Sequence, residues 1–163
     1  MSLKIYLATL WKNPYYEEVL KRLRDLGHEV YDFRDPSAAF KWSNIQLDNG
    51  KTWQEWDAED FFQALCTEET NRGFKRDFEA IKQCEALIML TPCGNSAHLE
   101  LGLAAGLGKY CIVYYYDYTS QGPDLMVKVA DKFIRFDSEL EESLLIAELQ
   151  VRGEQKLALL EGR

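Results

Sequence analysis

The sequence predicts an α/β protein: a three-layer, flavodoxin-like (Rossmann-like) fold on a five-stranded parallel sheet. Three observations carry that expectation. Short, nearly continuous apolar runs recur along the chain, the mark of strands covered on both faces. Stretches with helical apolar spacing alternate with them, as a parallel sheet with right-handed crossovers requires. Gly or Pro marks most of the changes from one kind of segment to the other.

The elements follow in order. Leu3–Ala8 is the first apolar run. Asn13-Pro14 offers a helix cap and a first-turn proline, and Tyr16, Val19, Leu20, Leu23 and Leu26 follow at helical spacing until Gly27 ends the helix. His28–Phe33 reads as the second strand. Arg34–Lys51 is polar, carries Pro36 and Gly50 and has no sustained period, so it reads as a loop. Helices are expected over Trp53–Leu65 and Gly73–Cys84, and a buried strand over Ala86–Leu90. An apolar helix over Ser96–Leu107 closes at Gly108, and Tyr110–Tyr115 is the fourth strand. A short helix near Asp124–Ala130, an edge strand over Lys132–Phe136 and an amphipathic helix from Glu139 to about Leu160 complete the chain. We expect one domain over residues 1–163, with a helical excursion at about 36–72.

Composition bounds the partners. The 163 residues include 19 Lys and Arg against 27 Asp and Glu, a formal charge of −8, which disfavours nucleic-acid polymers and anionic membranes. No stretch approaches the roughly 20 apolar residues that span a bilayer. The start of the chain reads as a strand rather than a signal peptide. Cys66, Cys84, Cys93 and Cys111 form no CxxC pair and have no His at ligand spacing. A reduced, cytoplasmic setting is therefore expected, with no metal and no cofactor.

In sheets of this kind ligands bind beyond the C-terminal strand ends, near the switch in strand order. Those ends are Ala8–Trp11, Phe33–Asp35, Leu90–Asn95 and Tyr115–Thr119. The most informative segment is Thr91–Gly102. A strand ends, a turn follows, and a helix starts at Asn95 or Ser96 that is apolar on nearly every side, so it is expected to be buried all round. Gly102 and Gly106 would let it approach a neighbour closely. Glu100 stands in the first turns of that helix, where a lone buried carboxylate is costly unless it is paired or faces a cavity. The helix start favours its ionised form, which is what a nucleophile at an anomeric carbon needs. A helix-capping Glu is the plainer alternative.

Asp77 is the second acid out of place. It falls on the stripe Phe74, Phe78, Ile81, as a pocket-facing acid or as a salt bridge to a neighbour such as Arg76. Gly94, Asn95 and Ser96 at the helix start could hold a phosphate, although Ser and Asn are also ordinary caps. Cys93 with His98 imitates a thiol and base but lacks a third group, and His98 reads better as a pocket-rim residue. Trp42, Trp53 and Trp56 flank the excursion, as a stacking lid or as its packing.

These residues resemble the nucleoside 2-deoxyribosyltransferase superfamily, which includes deoxynucleoside-monophosphate N-glycosidases. The resemblance rests on Lys4-Ile5-Tyr6-Leu7-Ala8, on Asp77 with Ala80-Ile81 and Cys84–Ile88, and on Ser96-Ala97-His98-Leu99-Glu100-Leu101-Gly102 with Ala104–Lys109. It spans Lys4 to about Tyr115. It implies that Glu100 attacks C1′ to form a glycosyl-enzyme intermediate, that Asp77 lies near the sugar and leaving base, and that the Tyr6 hydroxyl orients the nucleophile. Gly94, Asn95, Ser96, His98, Thr9 and Trp11 are the residues expected to bind a small-molecule nucleoside or nucleotide. The resemblance also implies a homodimer or higher homo-oligomer, with surplus aromatic surface near Tyr114–Tyr118 suited to an interface. Two departures favour hydrolysis over base exchange: Gly94-Asn95-Ser96 holds no acid where transferases carry one, and Thr9-Leu10-Trp11 replaces the usual small residues. Two other readings stand beside this one, a non-catalytic nucleotide sensor on the same fold and cleavage of a dinucleotide such as NAD.

Overall fold

Apolar runs that can be covered on both faces pair side by side. β1 (Lys4–Ala8), β2 (Glu29–Tyr31), β3 (Ala86–Leu90), β4 (Tyr110–Tyr114) and β5 (Lys132–Ile134) make an all-parallel sheet in the order β2-β1-β3-β4-β5. With its helices this is a three-layer, flavodoxin-like α/β fold. The computed structural model describes residues 2–37, 39–116, 124–135 and 137–160, the side chains of 137, 152 and 154–160 excepted. The strand-end segment Tyr115–Thr119 is thus described only as far as Tyr116, and Phe136 lies outside the described residues. None of the described helices is long and apolar enough to cross a membrane.

The chain divides into two compact units, one of Met1–Asp32 with Ile81–Arg163 and the other of Phe33–Ala80. The sheet belongs to the first. β3 is buried at every position, and Ile5, Tyr6, Leu7 and Ala8 of β1 are buried too, which explains their unbroken apolar sequence. α1 (Tyr16–Asp25) buries Tyr16, Val19, Leu20 and Leu23 and stops before Gly27, whose φ of 90° suits glycine. α5 (Asp137–Leu160) is tied to α1 by an Arg22–Glu141 ion pair at 3.2 Å. α4 (Asn95–Gly106) packs against β3, β4 and β1.

Several expectations change. Asn13 does not cap α1: the helix begins at Tyr16, and Asn13 instead accepts a hydrogen bond from the Tyr15 N–H just before it. α4 is not buried all round. Ala97, Leu101 and Ala104 are buried, but Leu99 is 76% exposed and a Cβ added at Gly102 or Gly106 would meet nothing within 4 Å. The sheet covers one side of this helix only, so its outward leucine and glycines face away from the core. Tyr114 is 1% exposed and belongs to the core, not to an aromatic surface. The short helix after Asp124 is a 3₁₀ turn over Leu125–Val129.

The second unit holds the excursion. A 3₁₀ turn at Trp42–Asn44 and α2 (Ala58–Leu65) bring Trp42 near Phe40, Trp56 and Phe61, with ring centroids 4.9, 6.0 and 5.6 Å away. These aromatics pack on one another, whereas Trp53 is half exposed. α2 starts at Ala58 rather than Trp53 because Asp57 caps it: its carboxylate accepts from the Glu59 and Asp60 N–H groups, and Asp60 accepts from that of Asp57 in return. α3 (Glu68–Gln83) begins five residues before the expected Gly73. Gly73 is therefore inside the helix, where it looks like a breaker only in sequence. A Cβ there would lie 2.9 Å from Phe40 Cδ2 and 3.0 Å from Phe40 Cβ, so glycine permits the aromatic to close on the helix.

His28 joins the start of β1 to the sheet side. The Leu3 N–H donates to its Nδ1 at 3.1 Å, and Glu148 of α5 stands 4.0 Å from the same nitrogen. Burial pushes the His28 pKa below 6.5, against the opposing pull of the Glu148 charge.

Two outcomes are expected. Gly73→Ala adds helix propensity of about 1 kcal/mol but forces a clash with Phe40, for a net loss of about 1–2 kcal/mol in urea unfolding; Phe40→Ala in the same chain should remove most of the clash. His28 binds a proton more readily unfolded than folded, so its contribution is complete above pH 6.5 and falls as the pH drops below that value. Melting curves between about pH 8 and pH 5.5 should show a falling Tm that is flatter in His28→Gln.

Candidate functional site

The site is built where the strand order reverses. β1 leads to β2 on one side, and β3 opens the other half of the sheet, so the β1–α1 and β3–α4 turns meet at the C-terminal edge. Tyr6 is the centre of this arrangement. It lies in mid-β1, 1% exposed, on the opposite face from Ile5 and Leu7, and its hydroxyl donates to Glu100 Oε1 at 2.9 Å. Its ring stacks on that of Tyr31 at 5.2 Å and 17° between planes. The stack follows from register, because Tyr6 and Tyr31 are direct partners in the β1–β2 ladder. The ring of Tyr6 is thus fixed by a neighbour while its hydroxyl holds the carboxylate.

Glu100 stands in the second turn of α4, half-buried, as the sequence pattern requires. The pairing with Tyr6 answers the cost of a carboxylate among apolar neighbours. Its charge is also felt by Cys93: burial, with Glu100 adding to it, pushes that thiol up to about 11. A thiol pushed up in this way is harder to ionise, which counts against Cys93 with His98 as nucleophile and base. His98 Nδ1 stands 4.0 Å from the sulfur but donates to the Gly94 carbonyl at 3.0 Å. Its Nε2 lies 3.7 Å from Asp124 Oδ2, an ion pair when the imidazole is protonated.

Gly94 is the N-cap residue of α4, in extended backbone and without a side-chain cap. Asn95 and Ser96 are exposed there. Helix starts of this kind present backbone N–H groups to an anion. Trp11 is 43% exposed on the β1–α1 turn. Thr9, by contrast, is buried, with its hydroxyl 2.8 Å from the Leu90 carbonyl and 3.1 Å from that of Pro92. Asp77 belongs to the other unit, on α3, where Arg76 grips its Oδ1 through Nε at 3.1 Å and Nη2 at 2.9 Å.

Sequence reasoning did not reach Tyr31 or the cross-turn role of Asn13. Tyr31 was visible only as a strand residue, since parallel register cannot be read from one strand. Among the described residues no group of His, Cys, Asp and Glu could hold a metal ion.

No family model matches the chain, and no curated protein does. Among solved structures, the 2-deoxyribosyltransferase of Bacillus psychrosaccharolyticus is similar over 86% of this chain and 90% of its own, at 21% identity and a TM-score of 0.54. A conserved protein from Enterococcus faecalis V583 is similar over 88% and 97%, at 15% identity and a TM-score of 0.53. The CMP N-glycosidase of Clostridium botulinum covers 90% and 98%, at 18% identity and a TM-score of 0.45. What the chain shares with the first two, at these identities, is the fold.

Proposed function

We propose that the chain, as a member of the nucleoside 2-deoxyribosyltransferase superfamily, cleaves the N-glycosidic bond of a nucleoside or nucleoside 5′-monophosphate, with Glu100 as nucleophile. The observation that carries this reading is the 2.9 Å hydrogen bond from Tyr6 to Glu100 at the strand-order switch. The fold shared with a 2-deoxyribosyltransferase supports it.

In the first step a Glu100 carboxylate oxygen bonds to C1′ as the bond from C1′ to the base breaks. That bond's electron pair leaves with the base, which takes up a proton. Water then adds at C1′ and gives up a proton, which balances the one taken by the base, as the glycosyl ester breaks and the carboxylate is restored. Tyr6 supplies orientation, holding one carboxylate oxygen so that the acid meets C1′ in a single pose. The N–H groups of α4 at Asn95 and Ser96 receive a 5′-phosphate, with Gly94 giving the backbone room to approach. His98 keeps that turn closed, and Trp11 lines the mouth. Asp77 is assigned the second acidic role from its place in the sequence pattern. Water rather than a second base is the acceptor we favour, because Gly94-Asn95-Ser96 brings no acid to hold an incoming base.

We also assign self-association to the outward face of α4 and the adjoining 3₁₀ turn. Leu99, Leu125 and Met126 are 76%, 76% and 69% exposed there, beside the open glycines 102 and 106. Exposed apolar side chains on two elements in contact with each other favour an interface there.

Incubation with a panel of nucleosides, 5′-monophosphates and NAD, followed by chromatography for free base, tests the activity. Base should appear with the parent chain and fall by at least about 10³-fold in Glu100→Ala, with Tyr6→Phe losing roughly 10²-fold in kcat. Nucleotide-induced stabilisation without any base release would replace the enzyme by a sensor. Light scattering coupled to gel filtration checks the assembly: a multiple of the 18.9 kDa chain mass is expected, reduced by Leu99→Glu with Met126→Glu.

A further inference from the structure

We propose that Thr9 and Asn13 are positioning residues that set how tightly the start of α4 holds its ligand, by fastening the β3–α4 turn to the β1–α1 turn. The inference rests on the ligand placement above and adds to it the part of the chain that fixes the ligand-facing end.

The need for a fastening follows from the ladder. The last β1–β3 register pair is Ala8 with Met89, so the Leu90 carbonyl lies one residue past the strand pairing. Pro92, two residues on, brings a carbonyl but no N–H. A turn so poor in donors needs them from elsewhere. Thr9 and Asn13 supply them. The Thr9 hydroxyl donates into the pair of carbonyls at 2.8 and 3.1 Å. The Asn13 amide donates to Thr9 Oγ1 at 2.8 Å and to the Pro92 carbonyl at 2.9 Å. Its oxygen accepts from the Tyr15 N–H at 2.8 Å, which settles the orientation of the amide. Both residues are buried, Thr9 8% and Asn13 3% exposed, so these bonds face little competition from water.

On the other side, the Thr91 N–H donates to the Tyr114 carbonyl at 3.0 Å. The turn is thereby held from β1 and from β4. It runs directly into Gly94, where a Cβ would touch Leu10 Cβ at 3.9 Å, and then into the first N–H groups of α4. Their position depends on this fastening and on the His98–Gly94 bond, since α4 has no side-chain N-cap. Glu100 is anchored separately, by Tyr6. Loosening the turn should therefore disturb ligand capture far more than the nucleophile.

The test compares Thr9→Val, Thr9→Ser and Asn13→Asp with the parent in steady-state base release from a nucleoside 5′-monophosphate. Asn13→Asp keeps the acceptor for Tyr15 and removes both amide donors. Thr9→Val and Asn13→Asp should raise KM about tenfold or more, leave kcat within about threefold, and Thr9→Ser should restore KM. Should Asn13→Asp not fold, the Val and Ser pair decides alone. An unchanged KM, or a kcat that falls with Tm while KM stays put, overturns the proposal. If the parent binds the monophosphate without turnover, the same tenfold difference is sought in Kd by titration calorimetry, and equal Kd values overturn the fastening. A parent that neither turns over nor binds any nucleotide is distinguishable from both: there the ligand placement itself fails, and the fastening falls with it.

Discussion

A parallel strand covered on both faces must pair on both edges, and β1 meets that demand between β2 and β3. Much of the site follows from this constraint. The alternation of a strand sends Ile5 and Leu7 to one layer and Tyr6 to the other, so a single polar hydroxyl is delivered into an apolar layer at a defined depth. Such a group requires a partner, and the partner is Glu100. The carboxylate in turn needs a donor among its apolar neighbours, and finds it in Tyr6. Each group thus answers the other's desolvation, while the Tyr31 ring, in register with Tyr6, removes the freedom that would loosen the pair.

Strand identity was legible in the sequence because burial on both faces leaves an unbroken apolar run. Ala86–Leu90 is matched to the residue. The parallel sheet follows from the alternation of strands and helices, and the count of five strands suggests its flavodoxin-like order. Helix ends were less legible, and for a common reason: the residues that mark them have other uses. Gly73 reads as a helix start, yet it stands inside α3 because Phe40 needs the space. Asn13 reads as a cap, yet its amide reaches across to another turn. Composition told nothing of which way α4 faces, since Leu99 outside and Leu101 inside are the same residue type.

The candidate site shows the same division. Glu100 stood out because a charge in an apolar helix is chemically conspicuous, and the hydroxyl of Tyr6 was placed on it through the family resemblance. The ladder partnership with Tyr31 and the commitments of Thr9 and Asn13 depend on contacts between residues 25 to 81 positions apart, which no local pattern encodes. In sequence Trp42 and Trp56 read as a lid or as packing; in space they meet each other edge to face, as the packing of a small aromatic cluster does.

The two outer strands of the sheet, β2 and β5, are three residues each, and carry Glu29 and Lys132. Such stubs expose too few N–H and C=O groups to template another strand, and their charges discourage a stranger from docking there. Copies of this chain are therefore discouraged from growing their sheets into one another. The short, charged edges guard the chain against the open-ended stacking through which edge-exposed parallel sheets become fibres.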